Sequence, residues 1–393
     1  MRRSSRLRGR EDAGVASDIL AKRQKSGGSG NSSAVQSIPS ERRPTWDAFL
    51  ESKLFLKAPG ELYDIFELAS ELQPENPCEA FVDTLGLRLT GAFDLLAAAG
   101  KKEVALDKPL YLHGRFFFDP PEVATVIVDT ESDDGRHWGY FRDSPGQVPE
   151  YVVRAESSHE CKFDIVGGNL FEVLESRLQK CQSTLEGDKV ANLLQKIEAQ
   201  KSCATSRGRS ESALRSKRAR EAVAGSLHQL GIVVPVDTKN NTGYRELPTA
   251  GKDLADLLRQ VEQEADKKSP ARKRLSELIT RATIASDECD FGTGLLLGLD
   301  VFTVGLCLEK EALQLLRVAY MLLRRANFYK VVSGHCKHRN GDELSARIES
   351  VAASNQTVFG EKQLKQSTVE LPLPLWGDNQ KISGVLTMKS SSA

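Results

Sequence analysis

Val123-Ala124-Thr125-Val126-Ile127-Val128, His137-Trp138-Gly139-Tyr140-Phe141 and Tyr151-Val152-Val153 are three runs of β-branched and aromatic residues in close succession. Between them lie Ser132-Asp133-Asp134-Gly135 and Asp143-Ser144-Pro145-Gly146, residue types that favour tight turns. Strand formers punctuated by turn formers predict an antiparallel sheet. Leu110-Tyr111-Leu112-His113 and Phe116-Phe117-Phe118, followed by Asp119-Pro120-Pro121, read as further strands and a turn of the same sheet.

Upstream, Trp46, Phe49, Leu50 and Leu54 have helical spacing after Pro44. A second helix starts at Pro59-Gly60-Glu61 and runs through Leu62, Phe66, Leu68 and Leu72 to a stop near Pro74. Leu85-Gly86-Leu87 predicts a short strand, Phe93-Asp94-Leu95-Leu96 a helical turn, and Gly100 to Pro109 a loop. Downstream, Phe171, Leu174, Leu178, Leu185, Leu193 and Ile197 predict helix from about Leu170 to Ala199. The basic block Lys201 to Arg220 resembles a hinge, Ile232 to Val236 a strand, and Asn240 to Gly243 a turn. Beyond Pro248, three helical patterns recur, through Leu254 to Val261, Leu275 to Cys289 and Leu308 to Leu323.

The expected fold class is α+β. A basic disordered tail (1–43) precedes an α+β module with an antiparallel sheet and flanking helices (44–200). A basic linker or hinge (201–225), a mainly helical module (226–345) and a C-terminal extension (346–393) follow. In the extension, Leu371-Pro372-Leu373-Pro374 argues against a long helix and suits a short docking segment or a mobile tail.

The chain of 393 residues balances 54 Lys and Arg against 54 Asp and Glu, so net charge does not mark it as a nucleic-acid coat. The charge is nevertheless uneven, with ten basic and four acidic residues in the first 43. There, Lys22-Arg23-Gln24-Lys25 suits nuclear import, phosphate contact or a solvated tail. The seven cysteines are widely spaced, with no CxxC pair and no secretory signal ahead of them, which predicts reduced thiols in cytosol or nucleus. No apolar run approaches the roughly 20 residues that cross a bilayer, so no membrane partner is expected.

Ser286-Asp287-Glu288-Cys289-Asp290-Phe291-Gly292 crowds three acids where an apolar helix gives way to glycines. Acids that close tend to raise one another's pKa, which is one way to tune a base. A solvated helix end or a cation site fits the same residues, although a calcium loop lacks its glutamate at the twelfth position. His335-Cys336-Lys337-His338 matches no standard metal spacing and reads as a partly exposed cluster, so no metal is expected. Asn241-Thr242-Gly243-Tyr244-Arg245-Glu246-Leu247-Pro248 offers an arginine fork beside an aromatic face, either an interface anchor or a local lock closed by Glu246 or a remote acid. No Gly-rich phosphate loop and no Gly-x-Ser-x-Gly occurs, so neither a self-contained nucleotide site nor a hydrolase elbow is expected.

Phe141-Arg142-Asp143-Ser144-Pro145, Val233-Val234-Pro235-Val236-Asp237, Gly243-Tyr244-Arg245-Glu246-Leu247-Pro248 and Asp287-Glu288-Cys289-Asp290-Phe291-Gly292 together resemble the histone PARylation factor 1 family. The likeness runs from about Leu54 to Asn340 and includes Asp119-Pro120-Pro121-Glu122 and Gly298-Leu299-Asp300. It implies an accessory factor that docks onto a DNA-break-activated poly(ADP-ribose) polymerase and completes a joint site for serine ADP-ribosylation of histones. Such a protein is not an enzyme alone and binds no cofactor of its own, because the polymerase holds NAD. By position, Glu288 resembles the catalytic glutamate that takes the proton of the acceptor serine. Asp287, Arg245, Tyr244, Asp290 and Asp300 are implied as supporting or partner-binding residues. Cys307 departs from the family pattern, which has a histidine there.

The resemblance further implies a nuclear protein recruited to chromatin at DNA breaks, with at most indirect or weak DNA contact. The alternative is a non-catalytic chromatin or nucleic-acid adaptor that uses the tail and the Lys196 to Arg220 block. That reading demands a steep salt dependence of DNA affinity.

Overall fold

Pro44 lies in the first turn of α1 (Arg43–Lys53), where its missing N–H leaves no helical bond unmade. Trp46, Phe49 and Leu50 are the buried face of that helix. The computed structural model describes residues 42–99, 103–106, 109–181, 191–198, 210–264, 266, 268–339, 366–370 and 385–389. Apart from Arg42 and Arg43, the expected basic tail lies outside them. All the described residues belong to one compact unit, Ile38–Ala393.

α2 (Gly60–Leu72), α3 (Val82–Leu85), β1 (Leu87–Leu89), α4 (Ala92–Ala98) and β2 (Glu103–Leu106) follow α1. Then come β3 (Val123–Asp129), β4 (His137–Phe141), β5 (Tyr151–Ala155) and β6 (Asp164–Gly167). The sheet order is β1-β3-β4-β5-β6, and every neighbouring pair is antiparallel. Alternate residues of its strands feed different cores. Ile127, Trp138, Tyr140 and Val152 face a cluster with α1, α2, α4, α5 (Leu170–Cys181) and α6 (191–198). Val123, Phe141, Tyr151, Val153 and Ile165 face a second cluster made by the C-terminal helices. Both faces are covered, which is why these strands read as continuous apolar runs rather than alternating ones.

The C-terminal half contains α7 (Glu211–Glu221), α8 (Gly251–Gln263), α9 (Pro270–Asp287), α10 (Phe291–Phe302), α11 (Glu309–Leu322) and α12 (Ala326–His338). α10 is buried from Gly292 to Phe302 and packs against α9 and α11. The α+β class therefore holds, with the sheet and its helices first and a mainly helical region after.

Several local expectations are corrected. Leu110–Leu112 is a 3-10 turn, not a strand. Phe116 to Asp119 closes a turn in which the Asp119 carboxylate accepts the Phe116 N–H at 3.0 Å, so this aromatic run cannot extend into a ladder. Ile232 to Val236 forms no strand: Ile232 makes an isolated bridge with Ala224 and Asp237 one with Thr242, and Pro235 has no N–H to offer a ladder. Within the stretch expected to be a loop, β2 pairs in parallel with β8 (Val385–Lys389), which pairs antiparallel with β7 (Gln366–Glu370). The C-terminal extension thus contributes two strands. β6, α10 and α12 were not foreseen.

Candidate functional site

α9 ends in a left-handed cap. Glu288 is the C-cap residue and Cys289 follows with φ 71°. The Asp290 N–H reaches back to the Ala285 carbonyl at 2.8 Å and the Cys289 N–H to the Ser286 carbonyl at 3.2 Å, the two bonds of a Schellman motif. This reversal separates the acids. Asp287 and Glu288 stay exposed at the tip of α9, whereas Asp290 turns inward and becomes the residue before α10. The three acids therefore differ in exposure, and among the described residues no group of three or more His, Cys, Asp or Glu is placed to hold a metal.

The loop carrying Arg245 is fastened to the start of α10 by four bonds. The Gly243 N–H donates to Asp290 Oδ1 at 2.9 Å, and the Gly292 N–H donates to the Gly243 carbonyl at 2.8 Å. Thr293 Oγ1 accepts the Arg245 N–H at 2.9 Å and donates to the Arg245 carbonyl at 2.7 Å. Two backbones must approach closely here. A Cβ on Gly243, whose φ is 118°, would lie 2.3 Å from the Pro235 carbonyl oxygen, and one on Gly292 would lie 2.9 Å from the Gly243 oxygen.

The Arg245 side chain then bridges two acids. Its Nη2 is 2.8 Å from Asp290 Oδ2, on a side chain only 2% exposed, and 2.6 Å from Glu288 Oε2, on a side chain 52% exposed. The hydrogen bond that Arg245 donates to Glu288, with the charges of Glu288 and Asp290, holds the guanidinium above its ordinary pKa. Arg245 is itself 53% exposed, and its guanidinium carries further N–H donors beside the one that meets the two acids. Of the two roles left open by the sequence, interface anchor or local lock, the free chain shows a lock, and it is closed by the remote acids Glu288 and Asp290. Chemically, the arrangement is an exposed carboxylate on a firmly seated helix end, aimed by an arginine whose position is fixed from the inside by a buried aspartate.

The other predicted residues are more dispersed in role. Tyr244 is half-buried, and burial raises its phenol, with Glu246 and Asp300 adding to the effect. Asp300 lies within α10, where its Oδ1 accepts the Leu227 N–H at 2.8 Å; burial lifts it to about 7. Asp287 makes no ion pair among the described residues. Cys307 is exposed just beyond α10, and its thiol is raised by partial burial. In α12, His335 and Cys336 are buried, Lys337 is exposed and His338 is half-buried, so the run is partly exposed. Burial lowers His335 to about 3, so the neutral ring donates from Nε2 to the Phe117 carbonyl at 2.9 Å.

Two supporting residues escaped the sequence reading. Thr293 clamps the Arg245 backbone; a threonine at the start of a Gly-rich helix gave no signal. Arg218 of α7 is buried and pairs with both oxygens of Asp143 at 2.6 and 2.9 Å while donating to the carbonyls of Leu230 and Gly231. It thereby pins the segment that leads to Arg245. Its position in a run of basic residues concealed it.

The family model for histone PARylation factor 1 matches residues 45–339. Histone PARylation factor 1 of Mus musculus is 35% identical over 304 residues, covering 75% of this chain and 87% of that protein. The Bos taurus protein of that name is 36% identical with the same coverage, and the Danio rerio protein is 33% identical over 296 residues, 74% of this chain and 84% of the relative. The matched span contains the sheet, the helical half and every residue of the Arg245–Glu288–Asp290 bridge, and the chain belongs to the histone PARylation factor 1 family.

Proposed function

We propose that this chain is a nuclear accessory factor of DNA-break-activated poly(ADP-ribose) polymerases, and that it directs ADP-ribosylation to serine by lending Glu288 as a general base. The observation that carries the reading is Glu288 itself, half-exposed at the tip of a seated helix and aimed by Arg245 at 2.6 Å. The polymerase holds NAD, which supplies the electrophilic C1 of the nicotinamide ribose. A serine hydroxyl is a weak nucleophile near neutral pH, so it needs a carboxylate within hydrogen-bond reach to take its proton as it attacks. In that step the serine O–C1 bond forms, the bond to nicotinamide breaks and the proton passes to Glu288.

Arg245 has two duties in this account. In the free chain it orients Glu288 but also occupies one of its oxygens. On docking, its further donors meet the polymerase, and the hold on Glu288 loosens enough for the seryl hydroxyl to share the carboxylate. Asp290 keeps the arginine in place throughout, and Asp287 adds negative potential that favours basic acceptors such as histone tails.

The adaptor alternative is weakened by what the basic residues near α7 do. Arg218 is buried on Asp143, Lys217 pairs with Glu150, and Arg215 pairs with Glu211, which leaves fewer cations free for phosphates. A reconstitution with purified chain, polymerase, nicked DNA, NAD and a histone peptide, each omitted in turn, separates the readings. Serine modification is expected to need both proteins. Glu288→Gln is expected to abolish it while a binding titration stays within about twofold of wild type, and serine modification that persists in the variant overturns the mechanism.

A further inference from the structure

α9 carries its charges against its own dipole. A helix is positive at its N-terminus and negative at its C-terminus, so acids suit the first turn and bases the last. In α9 the first turn has no acid and the last turn has no base. Instead, Arg272, Lys273 and Arg274 lie near the start, and Asp287 and Glu288 stand at the end. The side chains thus reinforce the backbone field.

Helical geometry aligns these groups. Residues seven apart nearly superpose around the axis and lie about 10.5 Å apart along it. Arg274, Arg281 and Glu288 therefore form one row, flanked by Lys273 and Asp287, all on the exposed face. Lys273, Arg274 and Arg281 make no ion pair among the described residues, and the exposed Glu277 between the two arginines pairs with neither. The opposite face, with Leu275, Leu278, Ala282 and Ala285, is buried. Ile284, 49% exposed, lies between Arg281 and Glu288.

We infer that this row is a docking track for an acidic surface of the enzyme that engages Glu288, an inference that rests on the function proposed above. Continuity and charge favour that occupant. A protein interface of ordinary size covers about 800 Å² per partner, roughly 28 Å across, and 18 helical residues span about 27 Å. A contact of that width centred near the exposed Ile284 therefore covers Glu288 and Arg281 and extends to about Arg274, roughly 15 Å from its centre. A uniformly anionic nucleic acid would run into Glu277, Asp287 and Glu288.

The test uses the full chain and the polymerase activated on nicked DNA, with association measured at about 50 and 300 mM salt, where screening lengths differ markedly. The Arg274→Glu/Arg281→Glu double variant is expected to associate about tenfold more slowly at low salt, with the deficit shrinking at high salt. Lys57→Glu, on the α1–α2 connection, is expected to match wild type. At saturating concentration the double variant still modifies serine, because Glu288 is intact, so loss of the track and loss of the base mechanism are distinguishable. Lys273→Glu supplies a second readout: Tm rises as the dipole is offset while association slows, whereas a structural role would lower both. Unchanged association and salt dependence in the double variant overturn the inference. So does a selective loss of affinity for DNA duplex alone, which would assign the track to nucleic acid.

Discussion

Cys289 occupies the left-handed position that ends α9, with φ 71°, where glycine is the residue without a steric cost. At that reversal Glu288 stays exposed and Asp290 is buried, so a run of acids becomes an exposed carboxylate and a buried anchor. Replacing Cys289 by Gly is expected to stabilise the fold by about 0.5–1 kcal/mol, the relief of left-handed strain less the entropy glycine adds to the unfolded chain. Denaturant unfolding measures this, and a loss of stability would show that the thiol packs usefully. The acids themselves were legible in the sequence as a cluster at a helix end. Their division was not, because a cysteine at the cap gives no glycine-like signal. Arg245 was legible as a donor fork, but its partners lie 43 and 45 residues downstream, at Glu288 and Asp290, and only the fold brings them together.

Elements are joined to one another by buried polar groups that periodicity cannot reveal. Arg218 ties α7 to the end of β4 and to the segment before Arg245, with a side chain only 4% exposed. Arg218→Ala leaves the Asp143 carboxylate without its cation and is expected to cost about 3–5 kcal/mol, visible in chemical denaturation, and to weaken polymerase binding by loosening the Arg245 loop. A cost below about 1 kcal/mol would mean that the pair is effectively solvated. Glu61 ties α2 to the sheet and to α5: it accepts the Tyr140 hydroxyl at 3.2 Å and the Leu170 N–H at 3.1 Å, and burial raises it from 4.5 to about 7. The folded chain therefore keeps this proton to about pH 7 and the unfolded chain only to about pH 4.5. The stability it contributes is complete below the lower value and is lost as pH rises through the higher one. Glu61→Gln keeps the accepting oxygen and is expected to remove a pH-dependent loss of order 1–3 kcal/mol between about pH 4.5 and 7. An unaltered pH slope of unfolding would contradict it. The helices with one apolar stripe, α1, α2, α8 and α11, were readable from spacing alone. α10 was not, because a helix buried on every side has no stripe and its glycines, which admit neighbouring backbones, look like breakers.

At the scale of the molecule, one five-stranded sheet serves two cores and the catalytic candidate lies on the helical side of it. The central strands were legible because their residues are strand formers whichever face they serve, whereas β2, β7 and β8 come together only through pairing across the chain. In this account the chain alone is an incomplete active site, with its base aimed but partly occupied by Arg245. The most direct test is a structure of the chain bound to the polymerase, with a non-reactive NAD analogue and a serine peptide, in which the Glu288 carboxylate to seryl Oγ distance is measured. The account predicts a hydrogen bond of about 2.6–3.2 Å with the hydroxyl facing the ribose C1. A Glu288 still closed on Arg245, with no seryl group within reach, would contradict it.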